Sequence, residues 1–287
     1  MKKLSVILSF ALSIICVLGA FACTKAKAFS SVGVRDGNYV YFGRFPQTIK
    51  PDDVSIVSSK NSDGYYLGSD GELYELVVVT PYGENYTYSN GTSVVATTLA
   101  YFRVEPLKWR ILSETEDTLF VVCDQIIAGS RFSEMSNNYK ESEVRTYLND
   151  VFLNKAFSEQ ESAFIKTTLV DNSIGTTGDD PNYYLSEDTL DKIFLLSYMD
   201  IINPLYGYND YLNAFDPARQ VLTTDYARAV GTYMNTSNHY GCGTWWTRSP
   251  VGEFDYIIKS AYADGVIYWM TSYMNGYGIL PALQIKI

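Results

Sequence analysis

The sequence contains few of the residues that most enzymes use for catalysis or for binding transition metals. It has one histidine, His239, and four cysteines, of which Cys16 and Cys23 lie in an apolar N-terminal stretch. A Ser-His-Asp triad would depend on that single histidine, and a zinc site could add only Cys123 and Cys242 to it. The sequence motifs of phosphate-binding loops, dinucleotide-binding folds and His-Glu-x-x-His metalloproteases do not occur. These absences favour a non-catalytic protein, and no cofactor is predicted.

Positive charge is also scarce. The chain has 22 Lys and Arg against 32 Asp and Glu, which gives a formal net charge of −10. An acidic surface repels nucleic acids and anionic lipid headgroups. We therefore expect no nucleic-acid partner, and no membrane contact beyond the N-terminal segment.

Only the N-terminus carries a long apolar run. Lys2 and Lys3 precede an uncharged stretch over residues 4–22, and Ala26-Lys27-Ala28 then offers small residues before a cleavage position. This pattern is typical of a secretory signal peptide over residues 1–28. Two alternatives stay open: Cys23 ends a loose bacterial lipobox and would carry a lipid anchor, or the run stays uncleaved in a membrane. Each of them exports the domain, so we predict a secreted protein or one held at the cell surface.

Two cysteines remain beyond that segment. Cys123 lies in an apolar run and Cys242 in a glycine-flanked loop. Cysteines that lie close together in an oxidising compartment form disulfides, but the sequence does not fix the distance between these two Cα atoms. A Cys123–Cys242 disulfide therefore stays open.

The order of strand and helix signals predicts one α+β domain over residues 29–287. The strand signals are residues 39–45, ended by Pro46; a hairpin over residues 64–76 in an insertion around 60–100; a pair formed by 107–112 and 118–127; and four segments between 245 and 285. The helical signals are the spacing of Val144, Tyr147, Leu148, Val151 and Phe152 and a capping box of Ser158 and Glu161. Strands at both ends with short helices between them predict a mostly antiparallel sheet in which the terminal strands pair. Residues 82–98 are polar and read as an exposed excursion.

An unusual cluster, Trp245-Trp246-Thr247-Arg248-Ser249-Pro250, lies near the C-terminus. Neighbours on a strand point to opposite faces, so one indole should enter the core and the other should face a groove or a covering loop. Arg248 shares the face of Trp246 and could stack on it or reach a buried carboxylate. The cluster is therefore either a clamp within the core or the floor of a ligand site.

Together with other segments, this cluster resembles a known family. The matching segments are Tyr41-Phe42-Gly43-Arg44-Phe45-Pro46-Gln47, Tyr66-Leu67-Gly68-Ser69-Asp70-Gly71, Glu105-Pro106-Leu107-Lys108-Trp109-Arg110-Ile111-Leu112, Lys192-Ile193-Phe194-Leu195-Leu196-Ser197 and Trp245-Trp246-Thr247-Arg248-Ser249-Pro250. They resemble a domain of unknown function that is common in exported and surface proteins of gut and oral bacteria.

The resemblance covers residues 38–287 and implies a C-type-lectin-like fold, similar to that of formylglycine-generating (sulfatase-modifying) enzymes. It also implies structural roles for Trp109, Trp246, Ser249, Pro250 and Pro281. Leu280 stands where the family usually has an arginine before Pro-Ala-Leu. Formylglycine-generating enzymes are oxidases that work through a cysteine pair and copper. That activity is not carried over to this chain, because Cys242 has no partner cysteine nearby in the sequence.

Aromatic residues concentrate near the C-terminus beyond what a core needs. The candidate ligand-binding residues are Trp245, Arg248, Tyr262, Tyr268, Trp269, Tyr273, Asn275 and Tyr277. Rings beside Asn and Gly at loop tips form adaptable binding surfaces, so we expect a glycan or peptide to bind the loops around 235–243 and 262–277.

Several alternatives to this hypothesis stay open. The chain could be an enzyme, either a hydrolase or a metal-dependent oxidase, or a structural adhesion module that presents residues 82–98. Asp171, Asp179 and Asp180 offer hard oxygens and are candidate calcium ligands.

Overall fold

The computed structural model describes residues 33–210 and 215–287. Its strands are β1 (Val34–Asp36), β2 (Tyr39–Ile49), β3 (Tyr66–Leu67), β4 (Leu73–Val78), β5 (Leu99–Glu114), β6 (Thr118–Cys123), β7 (Ala128–Ser130), β8 (Thr168–Val170), β9 (Thr189–Asp191), β10 (Ile193–Leu195), β11 (Val221–Leu222), β12 (Cys242–Gly243), β13 (Trp245–Pro250), β14 (Ile257–Ala261), β15 (Ile267–Thr271), β16 (Tyr277–Ile279) and β17 (Pro281–Lys286). Its α-helices are α1 (Glu143–Thr146), α2 (Leu153–Ala156), α3 (Glu159–Phe164) and α4 (Asp225–Ala229). The predicted signal peptide over residues 1–28, including Cys23, lies outside the described residues.

The N-terminal and C-terminal strands share one antiparallel sheet of eight strands, with the order β1-β2-β5-β6-β17-β10 and with β3 and β4 branching from β5. The prediction that the terminal strands pair is wrong, because β5 and β6 lie between β2 and β17. The long strand β5 pairs with β2 on the side away from β1, and β6 pairs with the other side of β5. The last strand is therefore left to pair with β6 and β10.

Strand β2 runs past the proline that was expected to end it. Pro46 lies opposite Val104 of β5, and the register of the two strands shifts between Pro46 and Ile49. A bulge of this kind accommodates proline inside a sheet, because the ladder there no longer requires an N–H donor.

The helical middle contains a widened turn. Between α1 and α2, residues Tyr147–Phe152 form a π-helical segment, so residues 143–156 are one continuous helical stretch. Val144, Leu148 and Phe152 are buried as predicted, whereas Val151 is exposed. The π turn changes the angular spacing of the side chains, which rotates Val151 away from the core.

The predicted capping box is confirmed. The Ser158 hydroxyl accepts the N–H of Glu161, and the Glu161 carboxylate accepts the N–H of Ser158, at the start of α3. Among the described residues, every helix is too short or too polar to traverse a bilayer.

A second sheet of five strands, in the order β15-β14-β13-β16-β7, packs on the same core. Both Trp245 and Trp246 of β13 are fully buried, so of the two predicted alternatives the open groove is wrong and a covered face remains. Strand β13 lies in the middle of the sheet, and both of its faces are covered. The Trp245 indole N–H donates to the carbonyl of Arg219 at 3.0 Å, and that of Trp246 donates to the carbonyl of Ser130 at 2.9 Å.

Most of residues 82–98 are exposed, as predicted, but the segment is anchored to the body of the protein. Tyr86 and Tyr88 are buried, and the backbone N–H and hydroxyl of Ser89 each donate to the Asp225 carboxylate at 2.7 Å. Asp225 begins α4, so this segment is held across that helix. An adhesion module would therefore present an exposed segment that is held to the body at Tyr86, Tyr88 and Ser89.

The two cysteines within the described residues form no disulfide. Cys123 and Cys242 are both buried and free. Burial raises the pKa of the Cys123 thiol to about 12.

The turn between β14 and β15 depends on a glycine, which a matched pair of substitutions tests. Gly265 has φ +83° and its Cβ would collide with the Asp216 carbonyl, whereas Gly71 has φ +85° and nothing within 4 Å. Gly71→Ala should lower the free energy of unfolding by about 1 kcal/mol through left-handed strain, and Gly265→Ala by about 3 kcal/mol because crowding is added. Urea unfolding measures both, and equal losses would contradict the packed turn.

Candidate functional site

A cavity of about 490 Å³ opens beside strand β15 of the five-stranded sheet. Its walls are formed by Gly178, Asp179, Tyr198, Lys259, Ile267, Tyr268 and Trp269. Three of these residues belong to β15, one belongs to β14, and the others come from the loops before β9 and after β10. We refer to this cavity as the Lys259 pocket.

Lys259 is a charged residue on a strand that is otherwise apolar or small. It lies at the centre of β14, opposite Trp269 of β15, and its side chain is only 6% exposed. Its ammonium donates to Asp179 Oδ1 at 2.7 Å and to the carbonyl of Thr177. Its Nζ also lies 4.1 Å from the centroid of the Tyr198 ring, which is a cation–π distance. The lysine thus has a carboxylate, a carbonyl and an aromatic ring as partners.

The pocket perturbs its titrating groups. Burial lowers the pKa of the Lys259 ammonium, and the hydrogen bond and charge of Asp179 offset part of that shift. Burial, followed by the negative charge of Asp179, raises the pKa of the Tyr198 hydroxyl. A buried lysine paired with a carboxylate inside a cavity is typical of a functional site, although ion pairs that serve structure shift pKa values in the same way.

The Arg248-Ser249 step of β13 positions the loop that carries Asp179. The Ser249 hydroxyl donates to the carbonyl of Thr176 at 3.0 Å and accepts the N–H of Tyr198 at 2.9 Å. Arg248 donates to the carbonyl of Asp171 at 3.3 Å and 3.4 Å. The tryptophan-rich motif therefore does not line the pocket but holds the Asp179 loop and Tyr198, which do.

The remaining motif residues are structural. Pro250 is buried and its carbonyl accepts the side-chain amide of Asn182 at 3.2 Å. Pro281 begins β17 opposite Leu195, and the Trp109 indole donates to the carbonyl of Phe42 at 2.8 Å.

Leu280, which replaces the usual arginine of the resembling family, lies in the apolar core. A leucine at this position needs no polar partner.

Two of the eight predicted ligand-binding residues line the pocket. They are Tyr268 and Trp269, whose side chains are 48% and 57% exposed. Because they are neighbours on β15 they point to opposite faces, so both faces of this strand are partly open. The register places Trp269 on the face of Lys259, above the pocket, and Tyr268 on the other face, where its ring lies 4.6 Å from that of Tyr262.

Three of the predicted residues are interior, and direct contact with a ligand is wrong for them. Trp245, Arg248 and Tyr277 are all buried. Tyr277 packs its ring 5.0 Å from that of Trp246, and Arg248 donates to Asp200 Oδ2 at 3.0 Å. Arg248 thus reaches a carboxylate, which is one of the two contacts predicted for it.

The other three predicted residues lie apart from the pocket lining. The Tyr262 hydroxyl contacts the sulfur of Met270 at 2.9 Å. Tyr273 and Asn275 are exposed beyond the end of β15, where Tyr273 stacks on Tyr256 with ring centroids 6.4 Å apart.

The candidate calcium ligands have other partners. Asp179 pairs with Lys259, and its second oxygen accepts the N–H of Gly252 at 3.0 Å. Asp171 accepts the N–H of Ser173 at 2.8 Å. Within residues 33–210 and 215–287, no three His, Cys, Asp or Glu side chains come together as a metal site, and this includes Asp180.

The histidine and the second cysteine also lie apart from the pocket lining. The His239 ring stacks on that of Phe215 with centroids 6.2 Å apart, and burial raises the pKa of the Cys242 thiol. A nucleophile of the Cys-His type would need the opposite environment, since low thiol pKa values come from nearby cations or helix N-termini.

Sequence reasoning missed Lys259 and Tyr198, and it assigned Asp179 to calcium. One signal was available: Lys259 is the only cation in Ile257–Ala261, a strand otherwise composed of Ile, Ser and Ala. A charge inside such a strand must find a partner, because an unpaired buried charge is prohibitively costly.

The lowered pKa of Lys259 predicts a pH dependence of stability. The unfolded chain binds more protons between the lowered value and the ordinary value of 10.5, so stability from this residue rises with pH across that window. Lys259→Met removes this rise and leaves Asp179 unpaired, which should cost about 2 kcal/mol at neutral pH.

Urea unfolding of both proteins from neutral pH to about pH 10 measures the difference, with the exposed Lys60→Met as matched control. The gap between the wild type and Lys259→Met should widen with pH. A gap independent of pH would contradict the proton linkage.

Comparison with known proteins gives one match. A family model described as "Domain of unknown function (DUF6273)" matches residues 116–287, a span that includes the Lys259 pocket and both strands of the β14–β15 hairpin. No curated protein and no solved structure matches the chain. Because the family model covers more than half of the chain, this protein belongs to the DUF6273 family.

Proposed function

We propose that this is an exported bacterial protein that recognises an extracellular ligand, a glycan or a peptide, without chemical turnover. The single observation that carries the proposal is the half-exposed indole of Trp269 over a pocket whose base is the Lys259–Asp179 ion pair. Exposed aromatic rings beside a few fixed polar groups are typical of binding sites for small ligands.

The chemistry of the pocket suits polar ligands. An indole face packs against the apolar face of a sugar or against a peptide side chain, and supplies contact area with little loss of conformational freedom. The Asp179 carboxylate has further lone pairs that can accept a hydroxyl or an amide N–H. The Lys259 ammonium is occupied by Thr177, Asp179 and the ring of Tyr198, so it orients the carboxylate rather than meeting the ligand.

The export of the domain rests on the sequence over residues 1–28, which has the architecture of a signal peptide, with a lipid anchor on Cys23 as the alternative. The acidic charge of the chain suits a soluble extracellular domain. We further propose a C-type-lectin-like scaffold. Support comes from an α+β fold whose terminal strands share one sheet, with the aromatic hairpin in a second sheet.

A hydrolase is the second candidate, and the lowered pKa of Lys259 inside a cavity favours it. In this case a neutral Lys259 amine would act as a general base, and Asp179 would orient it. Turnover of a peptide or glycoside panel that disappears in Lys259→Met, with binding retained, would support catalysis.

Binding to glycan and peptide arrays tests the recognition proposal. Trp269→Ala should weaken binding of the strongest ligand about thirtyfold, because it removes a contact surface worth about 2 kcal/mol. Asp179→Asn should weaken it less, because the amide oxygen still accepts a hydrogen bond. Leu205→Ala is the matched control, since Leu205 is the most exposed apolar side chain of a neighbouring loop and does not line the pocket.

Absence of any array binding would contradict the proposal. Binding that is equal in the wild type and Trp269→Ala would place the ligand elsewhere on the protein.

A further inference from the structure

The strand that borders the Lys259 pocket has one open edge. In the part of the chain that the structure describes, β15 pairs only with β14. Tyr262 N–H donates to Val266 O and Ser272 N–H donates to Tyr256 O, which fixes the even-numbered residues of β15 as those bonded to β14. The backbone N–H groups of Ile267, Trp269 and Thr271 therefore point to the open side.

The same residues offer acceptors on that side. The carbonyls of Ile267 and Trp269 point outward with their N–H groups, whereas the carbonyl of Thr271 accepts from Met274 N–H at 3.1 Å. An added strand would thus find two alternate residues with both a donor and an acceptor, and a third donor beyond them.

Edge strands that must stay unpaired are usually protected by charge, proline, bulges or shortness. The outer strand of the eight-stranded sheet has such protection: β1 is three residues long and carries Arg35 and Asp36. Strand β15 has none, because its five residues are Ile-Tyr-Trp-Met-Thr in unbroken register with β14. An unprotected edge in a molecule that protects its β1 edge indicates a surface made for pairing.

The charge around this edge selects the partner. From Ser249 to Ile285 the sequence has one cation, Lys259, which is buried and paired with Asp179. Asp264 lies in the turn before β15, and Glu253 and Asp255 are exposed in the loop before β14. The Ser272 N–H donates to the carbonyl of Tyr256, the residue after Asp255, so acids border both ends of the edge.

We propose that the open edge of β15 binds an extended peptide that carries lysine or arginine, which adds to the five-stranded sheet as an outer strand. The inference rests on the proposed function and names its ligand class and binding mode. Backbone hydrogen bonds supply affinity, and alternate side chains supply specificity. One face of the added strand passes the mouth of the Lys259 pocket, where Trp269 and Asp179 receive a side chain.

A short fluorescein-labelled peptide in which lysine alternates with valine tests the binding mode by fluorescence anisotropy. Two N-methylated versions of it carry the methyl groups on alternate residues, one on the lysines and one on the valines. In an added strand only alternate N–H groups face the sheet, so one version should bind about tenfold more weakly, for a loss of about 1.4 kcal/mol in hydrogen bonding. The other version should bind as the parent peptide does.

Charge and edge are tested separately. A peptide with glutamate in place of lysine should bind at least about tenfold more weakly at low salt, because like charges meet at the rim. Thr271→Pro removes an N–H that points to the open side and should therefore weaken binding of the parent peptide. The fold should be retained, because proline is tolerated on an edge strand. Leu205→Ala again serves as the control.

Equal loss in both N-methylated versions, or no loss in either, would overturn strand addition. A dimer in sedimentation that Thr271→Pro dissociates would also overturn it, because a second copy would then occupy the edge. If the arrays show a ligand but the N-methylated peptides bind alike, the recognition proposal survives and only the strand mode fails.

Discussion

The structure depends most on the buried contacts of Arg248, which tie the two sheets together. From β13 of the five-stranded sheet, its guanidinium donates to the carbonyl of Leu195 on β10 of the eight-stranded sheet at 2.7 Å and to Asp200 at 3.0 Å. Its backbone N–H donates to the carbonyl of Leu196 at 3.0 Å. The guanidinium meets carbonyl and carboxylate partners at once through donors held in a fixed planar fork. The loop that carries Asp179 is then fixed against the same residue.

This clamp gives the motif a physical meaning. Trp245 and Trp246 fill the two faces of β13, Arg248 joins the sheets, and Ser249 bridges Thr176 and Tyr198. The consequence for function is indirect. None of these motif residues lines the pocket, yet together they hold two of its walls in place, and rigid support of this kind is what a specific binding site requires.

The pocket is lined by a buried ion pair, Lys259 with Asp179, and other buried pairs lie elsewhere in the fold, such as Arg219 with Asp216. Lys259 and Asp179 pair between a strand and a loop, where leucine or isoleucine would often give a more stable fold. The reason is that the desolvation free energy of two ions often exceeds their attraction. The Lys259–Asp179 pair lines a cavity beside an exposed indole, and this placement supports the proposal of a recognition site. The edge of β15 shows the same pattern, since an unprotected strand is a liability unless it is used.

Local signals in the sequence predicted local structure well. The hairpin around Asp70, the capping box at Ser158 and the strand character of residues 245–250 are set by neighbouring residues, and all are present. The α+β class followed from their order along the chain. What the sequence could not supply was set by contacts between distant segments: which strand β17 pairs with, that both indoles are covered, and that Ser89 in the exposed excursion bonds to Asp225 of α4.

The candidate site followed the same division. Tyr268 and Trp269 were found because aromatic residues near turns are visible in the sequence. Lys259 and Asp179 lie about eighty positions apart, and only the fold shows that they meet. The burial of Tyr277 on Trp246 was hidden for the same reason.

The indole signals of a ¹⁵N-labelled protein test the central claim most directly. The chain has four tryptophans, of which Trp109, Trp245 and Trp246 are fully buried and Trp269 is exposed beside the pocket. On titration with a bound ligand, the account predicts that the Trp269 indole signal shifts first and most, while the three buried indoles stay in place. A ligand that leaves Trp269 unchanged and shifts another indole would contradict the assignment of the Lys259 pocket as the binding site.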